Sequence, residues 1–491
     1  MKKRSSSVTR RSFIGSLPAA SGMLATTASA QNKRPEFTGP LVKEKLPGDV
    51  TVTRSNDLNL IVLICDTFRW DHLHFNGNDR IITPNLDRLA EESVYFENCF
   101  TDVLPTIPAR RVLHTGKSYL NEKVGWWRQM DPTDVTLAEV LGKAGFTTGF
   151  IVDTFHHFKP NMNFHRGFDS WRWIRGQESD PYVSGPRDSV IPENHTPPHL
   201  LNDYFRERII QYVLNTKDRT GEDDYFCAQS LSAGAQWLEE NKDNDGPFMM
   251  FVDMFDPHEP WDAPPRFQQM YRKKYPYDRY IFGYGVNMED IRPDDIPIIR
   301  DLYAAEVSFT DYCIGWFLNQ VKQLGLMDNT IIAFSTDHGT HLGEDGCVQK
   351  QAKNLKSCLA KIPWLIRHPD ASTRGKRITG FTSHVDFMPT FLGLLGVEGH
   401  TGMHGMNAWD LVTGAKSSLR DYTVSGYGNF AAVHDDRWHY LQNFKGKDPG
   451  YGPALFDIRK DPLETVNVID DHPGVVAAMK KRIEEACDVK L

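Results

Sequence analysis

Leu58-Asn59-Leu60-Ile61-Val62-Leu63-Ile64-Cys65 is a run of strand-forming residues, and Asp66-Thr67-Phe68-Arg69-Trp70-Asp71-His72 follows it directly. The run is apolar at both odd and even positions. A strand with one wet face would alternate, so this pattern predicts a strand buried on both faces of a parallel sheet. Four further runs share the texture, at 147–152, 248–255, 330–335 and 362–367. Helical segments lie between them. One is predicted at 85–92 behind the Thr83-Pro84 start, and one at 136–144 before Gly145 as C-cap. The alternation predicts an α/β, doubly wound, mostly parallel sheet. Three of the runs lead into polar residues, at Asp66, at Asp256-Pro257-His258 and at Asp337-His338-Gly339. Such sheets bind ligands beyond the carboxyl ends of their strands, so these side chains are expected to meet on one face.

With 491 residues, 40% of them hydrophobic, the chain can build one large core and a smaller second unit. The formal net charge of −8 and the lack of a basic block past residue 11 argue against a nucleic-acid partner. Arg10-Arg11-Ser12-Phe13-Ile14, a small and apolar stretch, and Ala28-Ser29-Ala30 before Gln31 read as a Tat-type signal peptide over 1–30, with an ordinary Sec signal or a disordered basic tail as the alternatives. No later stretch is apolar and long enough to span a bilayer. The expectation is a periplasmic or secreted protein, cut after Ala30 and free of the membrane. A catalytic domain is expected over 57–420. Residues 421–491 change texture to short β-like pieces at 422–425, 431–434, 438–443 and 454–458 and a last helix near 475–485, which predicts a small antiparallel sheet plus helix. Residues 171–221 read as mainly surface loops shaping an entrance. The seven cysteines (65, 99, 227, 313, 347, 358 and 487) form no C-x-x-C pair, so neither a zinc site nor a disulfide framework is indicated, while one or two disulfides stay open.

Asp66 at a strand end suits a divalent cation or, alternatively, a helix cap. Asp337-His338-Gly339-Thr340-His341 offers a carboxylate and an imidazole to one ion, because glycine lets the chain turn sharply. Two carboxylates and one imidazole fit Ca²⁺, Mg²⁺ or Mn²⁺. In Pro105-Thr106-Ile107-Pro108-Ala109-Arg110-Arg111-Val112-Leu113-His114-Thr115-Gly116 a hydroxyl precedes a Pro-braced helix start, with Arg110 four residues on and on the same helical face. A helix N-terminus favours both a nucleophile and an anionic substrate.

In this order, together with Thr83-Pro84-Asn85-Leu86-Asp87-Arg88-Leu89, Ser383-His384-Val385-Asp386-Phe387-Met388-Pro389-Thr390 and Leu455-Phe456-Asp457-Ile458-Arg459-Lys460-Asp461-Pro462, these motifs resemble the sulfatase branch of the alkaline phosphatase superfamily. The resemblance implies an alkaline-phosphatase-like fold and a hydrolase of sulfate or phosphate esters. It implies that Asp66, Thr106, Asp337 and His338 bind one divalent metal ion, Ca²⁺ by family habit, with Mn²⁺ or Mg²⁺ as alternatives. Arg110 would steady the nucleophile and the charge of the transferring group. His258 would donate a proton to the leaving oxygen, and Lys350 would hold a non-bridging oxygen, with Lys353 as fallback. His156 or His157 would reach the site from the end of the 147–152 strand.

The chain departs from that family at three points. Most sulfatases carry Cys or Ser, converted to formylglycine, where Thr106 stands. A β-branched residue cannot become that aldehyde, so no formylglycine is expected and Thr106 must attack directly. The usual Gly-Lys-Trp-His segment reads Asp153-Thr154-Phe155-His156, and Thr67 replaces a common second metal-binding Asp. Direct threonine chemistry tilts toward phosphorus, because water can resolve a phosphoryl-Thr more readily than a sulfated Thr. Three readings follow. One is a sulfatase-family ester hydrolase, one a phosphodiesterase or phosphonate monoester hydrolase, and one a catalytically weak binder of an anionic ligand. The substrate is expected to be a small-molecule or glycan ester, with Trp126, Trp127, Trp171, Trp173 and Trp261 able to line its pocket or to sit in the core.

Overall fold

A computed structural model describes residues 52–121, 127–444 and 452–491. The leader with its cleavage point and Trp126 lie outside the described residues. A nine-stranded sheet is the backbone of the fold. Asn59–Cys65 runs through its middle, paired in parallel with Phe248–Met254 on one side and Thr330–Ser335 on the other. Thr147–Val152 and then Ser170–Trp173 extend the first side, again in parallel.

The other side corrects the reading of the 362–367 run as a parallel strand. Trp364–Arg367 is antiparallel to both Thr330–Ser335 and Val94–Phe100, and Pro363 separates it from Lys361–Ile362. Arg377–Ser383 then adds in parallel to Val94–Phe100. Buried apolar runs do not report strand direction, which is why the sequence could not show this.

The central strand explains its own composition. Leu60, Val62 and Ile64 point into one hydrophobic cluster, while Ile61, Leu63 and Cys65 point into another on the opposite face. Helices Thr106–Thr115, Leu137–Lys143 and Phe387–Leu394 cover the first face; Pro84–Glu91, Phe226–Asn241 and Asp295–Gln323 cover the second. Each buried Leu, Ile or Val contributes about 1.5–3 kcal/mol of transfer free energy, so both faces select for apolar residues. Leu137–Lys143 starts in a full capping box: Thr136 accepts from Glu139 N, and Glu139 accepts from Thr136 N.

The segment 171–221 is more ordered than expected. It carries the edge strand Ser170–Trp173 and the helix Asp203–Asn215, capped by Asn202 and burying Phe205, Ile209, Ile210 and Tyr212. That stripe is interrupted by charged residues, which hid it from periodicity. The small sheet, Tyr422–Tyr427, Phe430–Asp435, Trp438–Asn443 and Ala454–Asp457, is antiparallel as expected, but Val103–Leu104 joins its edge in parallel. The chain entering the Thr106 helix is therefore held by the C-terminal sheet. Helix Pro473–Cys487 closes that unit. All seven cysteines are free thiols. Among the described residues no helix is long and apolar enough to cross a membrane.

Candidate active site

The carboxyl ends of Asn59–Cys65 and Thr330–Ser335 bring Asp66, Asp337 and His338 together. Asp66, Asp337 and His338 are fully buried, and one ligand atom from each lies within 4.8 Å of the others. Two loops make this meeting rigid. Thr67, in left-handed backbone at φ +59°, donates its N–H to Asp337 Oδ1 (3.0 Å), and the neighbouring Phe68 N–H donates to Thr336 Oγ1 (3.0 Å). The buried Tyr303 hydroxyl accepts from Arg69 N (2.9 Å) and donates to Thr67 O (2.7 Å). Such a conformation costs about 1–3 kcal/mol and needs this kind of bracing. Gly339 is fixed by contact: a Cβ there would lie 2.0 Å from Cys358 O.

Arg110 ties the cluster together. Its Nη1 donates to Asp66 Oδ2 (2.8 Å) and to Asp337 Oδ2, while Nε and Nη2 grip Asp253 (3.0 and 2.7 Å). All four side chains are fully buried. The same Nη1 lies 3.5 Å from the carbonyl oxygen of Thr106, one helical turn back. Thr106 is buried as the first residue of its helix. Asp253 was not anticipated as a site residue. The available signal was one acid inside an otherwise apolar strand, since a buried carboxylate demands a partner.

Three carboxylates face one guanidinium here, which leaves negative charge uncompensated. Burial and the adjacent Asp337 push the Asp66 carboxyl well above its usual range, against the pull of Arg110 and Lys350. Burial acts the same way on Asp337, but Arg110 and His338 outweigh it and hold that carboxyl low. Burial drops His338 to about 4, so its ring is neutral. His338 Nδ1 donates to Gly339 O (2.7 Å), which turns the Nε2 lone pair toward Asp337. Asp66 Oδ1 and His338 Nε2 are buried without a hydrogen-bond partner. Excess negative charge, an oriented imidazole and two unpartnered ligand atoms fit a divalent cation.

Beside this centre Lys350 Nζ sits 2.5 Å from His258 Nε2 and 3.1 Å from Glu259 Oε1. Burial disfavours the ammonium, yet Glu259 and Asp66 hold the Lys350 pKa above its ordinary value. Burial and Lys350 push His258 well below the usual imidazole range, and its Nδ1 donates to Glu259 O. Lys353 lies in the neighbouring turn Ala352–Asn354. His156 Nε2 faces Glu178 Oε2 at 3.3 Å, and His157 Nε2 faces Asp253 Oδ2 at 3.2 Å. Asp256 is taken up by Gln177 Nε2 and Cys227 N, so it serves the scaffold. Of the tryptophans, Trp261 is wholly core, whereas Trp127 and Trp171 are 42% and 48% exposed. Trp173 stacks on Phe158 and under Arg175.

A family model described as Sulfatase matches residues 58–397, well over half of the chain. The chain belongs to the sulfatase family. A second model, N-sulphoglucosamine sulphohydrolase C-terminal, matches residues 343–488. Among curated sulfatase relatives, an arylsulfatase of Clostridium perfringens is 25% identical over 84% of this chain and 90% of its own length. An N-acetylglucosamine-6-O-sulfatase of Bacteroides thetaiotaomicron is 24% identical over 84% and 82%. Among solved structures, a phosphonate monoester hydrolase of Agrobacterium radiobacter superposes with TM-score 0.69 at 20% identity, covering 87% of this chain and 95% of that one. The fold is thus the alkaline-phosphatase-like fold of the sulfatases, and the chain is a hydrolase of that family.

Proposed function

We propose that the chain is an exported, metal-dependent hydrolase of sulfate or phosphate esters in which the Thr106 hydroxyl attacks the ester directly. The observation that carries this is the buried meeting of Asp66, Asp337 and His338 around unpartnered ligand atoms, with Arg110 linking them to Thr106. Asp66, Asp337, His338 and the Thr106 hydroxyl would hold one divalent cation, Ca²⁺, Mn²⁺ or Mg²⁺, which when bound favours the ionised hydroxyl and neutralises ester charge.

The protein's own groups supply the rest. Thr106 opens a ten-residue helix, whose positive end favours an anionic ester. Arg110, locked by Asp253, presents fixed positive charge without moving during reaction. Lys350 binds a non-bridging oxygen, and its ammonium, 2.5 Å from the His258 Nε2 lone pair, is the proton source within reach: a proton passed to Nε2 is the one that imidazole can hand to the leaving oxygen.

Within this reading a phosphodiester or phosphonate monoester is favoured by a specific feature. The hydroxyls of Thr67 and Thr154 are buried without partners where a more strongly charged lining is usual, which suits a substrate of lower charge. A related protein of Trinickia caryophylli is named a multifunctional alkaline phosphatase superfamily protein, and other relatives are named for glycan or choline sulfates. Paired assays on aryl sulfate, aryl phosphate, diaryl phosphate and aryl phosphonate, each with metal titration, separate the classes. Thr106→Ala is expected to lose about a thousandfold or more in kcat while still binding metal. Unchanged turnover refutes the direct nucleophile. Export is tested by replacing Arg10 and Arg11 with Lys, which should retain the protein in the cytoplasm if the leader is Tat-type.

A further inference from the structure

Glu178 is a buried acid near the reaction centre that the reading above leaves without a task. It is 4% exposed, and its backbone is held at φ +51°, in the left-handed region. The turn that carries it is built for the purpose. Arg175 and Gly176 N both bind Asp180, Gln177 is anchored on Asp256, and Glu178 N donates to Gln177 Oε1 at 3.1 Å. Arg208 grips Glu178 Oε1, and Oε2, buried without a hydrogen bond, faces His156 Nε2 at 3.3 Å. Arg208 is itself held over Tyr204 and Tyr284, 4.4 and 5.2 Å from the ring centroids.

His156 is the partner that gives this arrangement meaning. It is packed edge-on to Trp127 (5.0 Å between centroids), against Phe155 (4.2 Å) and near Phe255 (6.1 Å), whose other neighbour is the His258 ring at 3.9 Å. His156 Nδ1 is buried and has no hydrogen-bond partner among the described residues.

We infer that Glu178 is a positioning residue for the proposed hydrolysis: it fixes His156 with Nε2–H toward the carboxylate and leaves Nδ1 as the ring's free proton acceptor. In the second half of the proposed hydrolysis, the water oxygen bonds to the transferred phosphorus or sulfur as the bond from that atom to Thr106 Oγ1 breaks, and Nδ1 takes the proton the water gives up. The imidazolium is held by Glu178 and passes that proton on to the departing Thr106 oxygen, which restores the hydroxyl and the neutral ring. The logic is that of any imidazole oriented by a buried carboxylate. The charges that face the pair agree with it. Around His156 lie Glu178, Lys159, His157 and His258; around Glu178 lie His156, Arg208, Lys350 and, across Lys350, Glu259. Burial lowers His156, with Glu178 pulling the other way, so the ring is neutral at rest and able to accept a proton. Burial would protonate Glu178, but His156, Arg208 and Lys350 keep it ionised.

This inference rests on the proposed hydrolysis, so its test has a readout independent of turnover. In ¹⁵N-histidine NMR spectra, with the His156 signal identified by its loss in His156→Ala, the folded protein should show the Nε2–H tautomer. Glu178→Gln should move the His156 titration to lower pH. With the ester class found active, Glu178→Gln should cut kcat about 10- to 100-fold with a smaller change in KM, and should shift the acid limb of the pH profile downward. Glu178→Asp should restore part of the loss, and guards against a Gln variant that fails to fold. The double variant with His156→Ala should be no slower than His156→Ala alone. An unmoved His156 titration in Glu178→Gln, or fully multiplicative losses in the double variant, overturns the inference. Absence of activity on every ester would instead overturn the hydrolase reading, while the NMR result still decides the pairing.

Discussion

Replacing Asp253 by Asn attacks the centre where its charges are balanced. The carboxylate takes Arg110 Nε on Oδ2 and Nη2 on Oδ1, and Oδ2 also faces His157. An amide can accept on one side only, so in either orientation its NH₂ points at a guanidinium N–H, and in one of them at the His157 ring as well. Breaking one partner of a fully buried pair costs about 3–5 kcal/mol, because the other charge is left uncompensated. Unfolding entropy near 2.1 cal/mol/K per residue, over 491 residues, amounts to about 1 kcal/mol/K, so the melting temperature should fall about 3–5 °C. The same change makes Arg110 lean harder on Asp66 and Asp337, in competition with a cation. Affinity for Ca²⁺ or Mn²⁺ should then weaken about 10- to 100-fold. Differential scanning fluorimetry and isothermal titration measure the two effects. Asp436→Asn is the control, since that carboxylate is 70% exposed against an exposed Arg459 and is worth little. A melting temperature and a metal affinity both within error of the parent protein would refute the account of Arg110 as a buried, three-carboxylate tie.

Tyr303→Phe strands Arg69 N and Thr67 O in a dry interior, about 2–5 kcal/mol together, so the melting temperature should drop by a few degrees and metal affinity should fall with it; a melt equal to the parent's contradicts the bracing role. Gly339→Ala places a methyl against Cys358 O, and soluble yield and metal binding should both collapse; a normal metal titration would show that the loop can yield. Burial holds the Asp102 carboxyl at about 7 although Ser118 and Tyr119 N donate to it. An unfolded Asp ionises near ~3.9, so the folded state keeps its proton longer and stability declines as pH rises from about 4 to 7. Asp102→Asn should lack that decline, and parallel slopes in thermal melts across this window would rule it out. If the site is loaded at 100 times its dissociation constant, chelation should cost about 2.7 kcal/mol, seen as a fall of a few degrees that re-added cation reverses.

The sequence carried the central strand, its neighbours at 248–254 and 330–335, and the clustering of Asp66, Asp337 and His338 because each depends on local pattern: apolar runs, and polar residues just past their ends. It did not carry the reversed direction of Trp364–Arg367, since a doubly buried strand reads alike both ways. Nor did it show Asp203–Asn215, whose buried stripe is broken by Arg206 and Glu207. In the site, Arg110 was legible as a neighbour of Thr106, but its grip on Asp253 links residues 143 apart along the chain. Glu178 gave no signal at all, because nothing in a polar turn marks which carboxylate will be drawn inward. Long-range pairing, rather than composition, separates what could be read from what could not.

The two-residue strand Val103–Leu104 has a consequence for biogenesis. It leads straight into Thr106, yet its sheet partner is Tyr422–Tyr427, and Ser425 Oγ reaches Thr101 O across 324 residues. At a synthesis rate of about 5–20 residues per second, that partner leaves the ribosome roughly 15–65 s after the segment it must hold. A nascent chain, or one cut short before residue 421, lacks the strand that fixes the entry to the Thr106 helix. That entry is therefore braced only once the chain has been made through Tyr427.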